Sequence, residues 1–192
     1  MRETCDDQTM EELIGLLQAN DERALDKLDS LVREFSTDPR LPFMKASLLV
    51  STGNPIQAHY WFNKALELAP DFAIARFQFG LFQLTSGEPA QALETWGRLD
   101  LLPDGHYLRA FVDGLRCLIR DDFNGARRHL TIGMAANDEN GPLNNDMALL
   151  MRQLDSLEHS SQNLSSPDDT SDEEVSQTSL LLQQLGIYGL PN

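Results

Sequence analysis

One spacing constrains the fold of this chain more than any other feature. Alanine recurs every 34 residues, at Ala24, Ala58, Ala92 and Ala126. A large side chain follows each alanine by four positions, in the column Leu28, Phe62, Trp96 and Leu130. Residues four apart share a face of a helix, and a period of this length is typical of stacked helix pairs. The repeat therefore predicts an all-helical chain.

Small residues and turn signals recur in the same register. Ala46, Gly80 and Gly114 each stand twelve positions before one of the alanines, and small residues facing each other allow two helices to approach closely. The segments 53–55 and 87–89 begin with glycine and end with proline. Glycine adopts positive φ readily and proline suits the first turn of a helix. Each unit is therefore predicted to be a helix–turn–helix hairpin.

This pattern resembles the tetratricopeptide repeat (TPR) family, whose unit is a 34-residue helix–turn–helix. Four repeats are assigned on this resemblance, at 5–38, 39–72, 73–106 and 107–140. The first repeat matches at the fewest positions, because Glu12 occupies its small-residue column. The resemblance implies a right-handed solenoid of helical hairpins. We expect a TPR-like domain over 5–157 that ends in a cap helix at 142–157, where apolar residues recur at helical spacing.

The composition changes after residue 157. Residues 158–171 are rich in Ser, Asn and Asp and contain no Lys or Arg, so they are predicted to form an acidic, mostly disordered linker. Residues 172–192 form an apolar tail segment that begins with three acidic residues. A short amphipathic helix is predicted in this segment, with one face formed by Val175, Leu181, Leu182 and Leu185. The segment could dock on the protein as a structural lid, or it could regulate or bind a partner.

The charge balance excludes several classes of protein. The chain has 15 Lys and Arg against 30 Asp and Glu, a formal net charge of −15, whereas nucleic-acid binding needs a basic stripe. No apolar run approaches the roughly 20 residues of a membrane helix, and the first residues lack a signal-peptide core. Cys5 and Cys117 are too few and too far apart to suggest a disulfide framework. We therefore expect a soluble, cytoplasmic protein without a nucleic-acid partner or membrane insertion.

No motif for catalysis or metal binding stands out. The sequence lacks a glycine-rich phosphate loop, a nucleophile elbow and a His-Glu-x-x-His pattern, so we expect no enzymatic activity, no metal and no cofactor. Five arginines concentrate positive charge in the fourth repeat: Arg109, Arg116, Arg120, Arg127 and Arg128. They indicate either a solvated face or a contact for an acidic segment.

The candidate binding site lies on the first helices of the repeats. The TPR resemblance implies that these helices line a concave surface, and their fifth column contains three phenylalanines. These phenylalanines and the residues of the sixth and ninth columns together form the predicted groove: Phe43, Met44, Ser47, Phe77, Gln78, Leu81, Phe111, Val112 and Leu115. The lysine and asparagine clamp by which some TPR domains hold a terminal carboxylate is absent from these columns. An apolar groove favours an apolar or amphipathic peptide or helix, although the phenylalanines could instead pack inward as core.

The sequence thus predicts a non-catalytic protein–protein interaction module, a TPR adaptor or scaffold whose partner is a protein or peptide. One alternative is a secretion-type TPR chaperone that holds an apolar segment of a client. Another is an accessory subunit of an enzyme complex. Docking of the chain's own tail on its apolar surface is a further expectation.

Overall fold

The structure, a computed structural model, describes residues 4–163. Within this range the chain is helical and contains no strand, which confirms the all-helical prediction. The helices are α1 (Asp7–Gln18), α2 (Arg23–Glu34), α3 (Arg40–Ser51), α4 (Pro55–Leu68), α5 (Ala73–Thr85), α6 (Pro89–Trp96), α7 (Tyr107–Ile119), α8 (Phe123–Ala136) and α9 (Gly141–Asn163). A short 3-10 helix, Gly97–Leu101, follows α6.

The helix boundaries follow the sequence repeat. Helices α4, α6 and α8 begin at Pro55, Pro89 and Phe123, which lie 34 residues apart. Each is preceded by a residue with positive φ, at 73° for Gly53, 81° for Gly87 and 57° for Asp121. Glycine adopts this backbone without steric cost, whereas a side chain is strained there. The predicted turns at 53–55 and 87–89 are therefore confirmed.

The chain divides into two compact units, and the division falls within α5, between Phe79 and Gly80. In the first unit α1 packs on α2, α2 on α3, and α3 on α4. One hydrophobic cluster of this unit contains Cys5, Met10, Leu13, Leu28, Leu31, Phe35 and Leu41. Helices α4 and α5 also meet in this unit, where the ring of Phe62 stacks on that of Phe79 with the ring centroids 5.3 Å apart.

In the second unit α7 packs on α8, and α8 on α9. Glycines stand where these helices approach closely. A β-carbon on Gly80 would collide with the indole of Trp96, and one on Gly114 would lie 2.9 Å from the side chain of Leu130. Real β-carbons do not approach so closely, so a side chain at either position would have to displace the neighbour that packs there. These contacts confirm the close crossings predicted from the small-residue column.

The last helix is longer than predicted. The cap helix was expected to end at 157, but α9 continues to Asn163, so the first six residues of the predicted 158–171 linker are helical. Neither glycine nor proline occurs in 158–163, and nothing there interrupts the hydrogen bonds along the helix. Residues 164–171 and the whole 172–192 segment lie outside the described residues. The four predicted docking residues of the tail, Val175, Leu181, Leu182 and Leu185, fall in that part.

A network of asparagines joins α8 to α9. The amide of Asn137 donates to the carbonyl oxygen of Asn140 and to the side-chain oxygen of Asn144, both at 2.8 Å. Asn144 in turn donates to the carbonyl oxygen of Met134 at 3.2 Å. The side-chain oxygen of Asn140 accepts from the backbone N–H of Leu143 and so caps the start of α9. The network satisfies backbone groups that the helix ends leave without partners.

Two glycine-to-alanine replacements should change stability in opposite directions. Gly87→Ala should lower the free energy of unfolding by about 1 kcal/mol, because Gly87 has φ of 81°. Gly15→Ala should raise it by about 0.5–1 kcal/mol, because Gly15 lies inside α1. Neither site has another atom within 4 Å of the added β-carbon, so backbone conformation alone sets the signs. Urea unfolding followed by circular dichroism measures both, and effects of the same sign would contradict the assigned turn.

Candidate functional site

Three of the predicted groove residues lie on one partly exposed face of α3. Phe43, Met44 and Ser47 are each half-buried, and Arg40 lies at the N-terminal end of the same face. The opposite face of α3 is buried and carries Leu41, Ala46 and Leu49. We call Arg40, Phe43, Met44 and Ser47 the α3 surface.

The apolar side chains of the α3 surface are held by neighbours without being covered. The ring of Phe43 contacts that of Phe72 edge-on, with centroids 5.3 Å apart, and lies 6.3 Å from that of Phe62. Met44 packs against the hydrophobic cluster of the first unit. The hydroxyl of Ser47 donates to the carbonyl oxygen of Phe43 at 3.2 Å. The surface is therefore an ordered apolar strip that still faces solvent.

An open cavity of about 410 Å³ adjoins the α3 surface. It is lined by Pro39, Arg40, Ala69, Pro70, Asp71 and Phe72. Arg40 belongs to both features, and Phe72 links them through its contact with Phe43. The cavity is mostly apolar, and its lining includes one cation and one carboxylate. It therefore suits an apolar side chain of a peptide, with the charged groups available to the polar groups of the peptide backbone.

A buried carboxylate fixes the position of Arg40. Asp38 is fully buried, and its carboxylate accepts from the Nε of Arg40 at 3.0 Å and from the Nη2 at 2.7 Å. Arg40 Nη2 also donates to the carbonyl oxygen of Cys5 at 2.8 Å, and the Cys5 N–H donates back to Asp38 at 2.9 Å. Burial raises the pKa of Asp38, but the hydrogen bonds from Arg40 and from backbone N–H groups outweigh it and lower the pKa. Arg40 is thus a fixed cation at the cavity.

The other predicted groove residues are placed differently. Phe77, Phe111, Val112 and Leu115 have exposures of 0 % and Leu81 of 3 %, while Gln78 is half-buried. The ring of Phe111 packs so closely over Gly133 of α8 that a β-carbon at that position would collide with it. The prediction that these five residues line an open groove is therefore corrected, and the core interpretation applies to them.

Three of the five arginines of the fourth repeat form ion pairs with acidic side chains of the chain itself. Arg109 contacts Asp104 at 2.6 Å, and Arg127 contacts Asp155 at 2.9 Å. Arg116 holds Asp100 through two hydrogen bonds of 2.8 and 3.0 Å. The hydrogen bond from Arg116 is the main reason why the pKa of Asp100 lies below its usual value. Acids of the chain itself therefore balance the charge of these three arginines.

Sequence reasoning missed one exposed apolar pair. Ile56 is 87 % exposed and Tyr60 is 59 % exposed, and the two lie one turn apart on α4. Their spacing of four was the available signal, because Ala58, Phe62 and Ala65 mark the opposite, buried side of the same helix. Exposed apolar residues of this kind are common on protein surfaces and need no functional explanation. The pair is therefore a suitable position for control substitutions.

Within residues 4–163, no group of three or more His, Cys, Asp or Glu side chains is arranged to hold a metal ion. None of the helices in this part of the chain combines the length and the apolar character needed to cross a bilayer. Comparisons with protein-family models, curated proteins and solved structures found no match. The function of the chain is therefore proposed from the geometry of its own residues.

One buried acid lies on α9. Asp146 is only 8 % exposed, and loss of hydration on burial raises its pKa to about 6. The folded state therefore retains a proton that the unfolded chain releases at lower pH. Stability falls as the pH rises from about 4 to about 6, because the native state must then ionise this carboxyl group in a poorly hydrated place.

Truncating two phenylalanines should separate core from surface. Phe77→Ala should lower the free energy of unfolding by about 3–5 kcal/mol, as loss of a fully buried ring does. Phe43→Ala should cost about 1–2 kcal/mol, because its ring already contacts water and less apolar area is lost. Guanidinium unfolding of both variants against the parent gives the two values. Equal costs would show that Phe43 is as much a core residue as Phe77.

Replacing Asp146 by Asn should stabilise the protein in a pH-dependent manner. At pH 7 the variant should gain about 1–2 kcal/mol after allowance for solvent screening, because Asn carries no charge. Near pH 4 the gain should vanish, since Asp146 is then protonated in the folded state. Thermal melts at pH 4, 5, 6 and 7 measure the trend. A gain that does not change with pH would show that ionisation is not its cause.

Proposed function

We propose that this chain is a non-catalytic protein-interaction module built of TPR-like helical hairpins, and that its α3 surface binds an apolar segment of a partner protein. One observation carries the proposal. Among the predicted groove residues, those of α3 remain partly exposed beside an open cavity, whereas five others are buried. The α3 surface is therefore the part of the predicted groove that a partner can reach.

The chemistry of the α3 surface supports a peptide ligand with apolar side chains. Phe43 offers a ring face or edge, and Met44 is a flexible side chain that adapts to different apolar shapes. The adjoining cavity has room for one further apolar side chain. Arg40 can donate to a backbone carbonyl or a carboxylate of the same ligand. An amphipathic segment combines these groups, since its apolar residues recur along one side.

The test is a selection of peptide ligands on the immobilised full-length chain. Apolar or amphipathic sequences should be enriched, and one synthetic peptide from the selection is then titrated by fluorescence polarisation. Ser47→Arg should weaken its binding at least about tenfold, because a long side chain on a helix leans toward the preceding turn and would place a charge over Phe43 and Met44. Ile56→Arg introduces the same side chain at the control position on α4 and should change the affinity by less than about twofold.

Circular dichroism melts confirm that both arginine variants remain folded. Two results would count against the proposal. Either the selection enriches no apolar sequence over an unrelated immobilised protein, or the selected peptide binds Ser47→Arg as tightly as it binds the parent.

A further inference from the structure

Asp146 on α9 has a buried carboxyl group that lacks a partner in the described part of the chain. Only 8 % of the residue is exposed, yet within residues 4–163 no hydrogen bond or ion pair reaches its carboxyl group. Burial alone raises its pKa, and no neighbouring charge contributes to the shift. Buried polar groups are nearly always hydrogen-bonded, so this exception calls for an explanation.

The free protein bears a cost for this group at neutral pH. The pKa of Asp146 is about 6, so at pH 7 most molecules hold an ionised carboxylate in a poorly hydrated place. Groups that lower stability in this way are concentrated at binding sites and active sites. A bound cation would offset the cost, because opposite charges attract each other more strongly where water is excluded.

The carboxyl group lies on one side of α9 together with Pro142, Leu149 and Gln153. Successive members of this set are three or four positions apart and therefore share a side of the helix. Pro142 is exposed and Leu149 is half-buried, so an apolar residue lies on each side of Asp146 along the helix. The Oε1 of Gln153 is a further buried acceptor without a donor among the described residues. We call these four residues the α9 stripe.

Basic residues close to Asp146 along the chain do not supply its partner. Arg127 of α8 pairs with Asp155 at 2.9 Å. Arg152 is exposed, and its position six residues after Asp146 places it on a different side of α9. The segment after α9, residues 164–192, contains no Lys, Arg or His. The net charge of −15 attracts basic molecules to the chain.

We infer that the α9 stripe binds a segment of a partner protein in which an arginine or lysine stands between apolar side chains, and that this cation pairs with the carboxylate of Asp146. The apolar side chains of the segment pack on Pro142 and Leu149. Arginine suits the site better than lysine, because a guanidinium is less strongly hydrated and can hold both carboxylate oxygens. The inference does not rest on the proposed function, since no residue of the α3 surface takes part.

A selection from a library of random twelve-residue peptides on the immobilised full-length chain tests the inference. Enriched peptides are screened again on Asp146→Asn, which keeps the shape of the side chain and removes its charge. Peptides that require Asp146 should contain Arg or Lys beside apolar residues. The matched control Asp138→Asn removes an exposed carboxylate from the connection before α9 and should change their affinity by less than about twofold, because water and salt screen such a charge.

A double-mutant cycle then isolates the ion pair. One selected peptide is made in two forms, with its arginine and with citrulline, a neutral side chain of the same shape; norleucine serves where the residue is lysine. In fluorescence polarisation the neutral form should bind the parent at least about tenfold more weakly. On Asp146→Asn the two forms should differ by less than about twofold. Asp146→Asn is expected to stabilise the fold, and circular dichroism melts check that it is folded.

Two outcomes would overturn the inference. Either no enriched peptide distinguishes the parent from Asp146→Asn, or the neutral peptide loses the same affinity for both proteins, which would show that its cation pairs elsewhere. Dependence on Ser47→Arg is measured separately for each peptide, so a failure of the α9 stripe and a failure of the α3 surface are distinguishable.

Discussion

The close approach of paired helices is the constraint on which the rest of this structure depends. At two of the helix crossings a large side chain lies against a glycine, which has no β-carbon. Trp96 lies against Gly80, and Leu130 against Gly114. Interiors are packed as densely as organic crystals, so a single added methyl group has no room there. The 34-residue spacing of small and large residues in the sequence therefore follows from the close packing of the paired helices.

The buried phenylalanines and the partly exposed one occupy the same repeat position but have different neighbours. Phe111 lies across α8 because Gly133 leaves space for its ring. The corresponding position of α4 is Ala65. Phe43 instead contacts Phe62 and Phe72 and remains half-buried. Phe77, at the same repeat position, is fully buried although Leu99 stands in the column of Ala65 and Gly133, so that column alone does not decide which ring is buried.

Buried polar groups fix parts of the molecule that apolar packing leaves undetermined. The ammonium of Lys45 on α3 pairs with Asp29 on α2 and lies 3.9 Å from the ring centroid of Trp61 on α4. Asp38 ties the residues before α1 to the start of α3 through Cys5 and Arg40. A buried ion pair adds less to stability than its geometry suggests, but removal of one partner is costly. These contacts therefore set positions, among them the position of Arg40 beside the cavity.

The sequence by itself determined the helical class, the register of the hairpins and the turn glycines, because each depends on local rules: a periodic apolar pattern, the conformational freedom of glycine and the fixed φ of proline. The sequence also identified Phe43, Met44 and Ser47 as candidates. Only the tertiary structure decided that Phe77 and Phe111 are core, that Arg40 is held by Asp38, and that three asparagines join α8 to α9. The first fact depends on which side of a helix its neighbours cover. The other two are side-chain hydrogen bonds within the connections before α3 and α9, which a periodic apolar pattern does not report. A repeat pattern gives equivalent positions the same prediction, whereas the residues that surround each position in the fold differ from one repeat to the next.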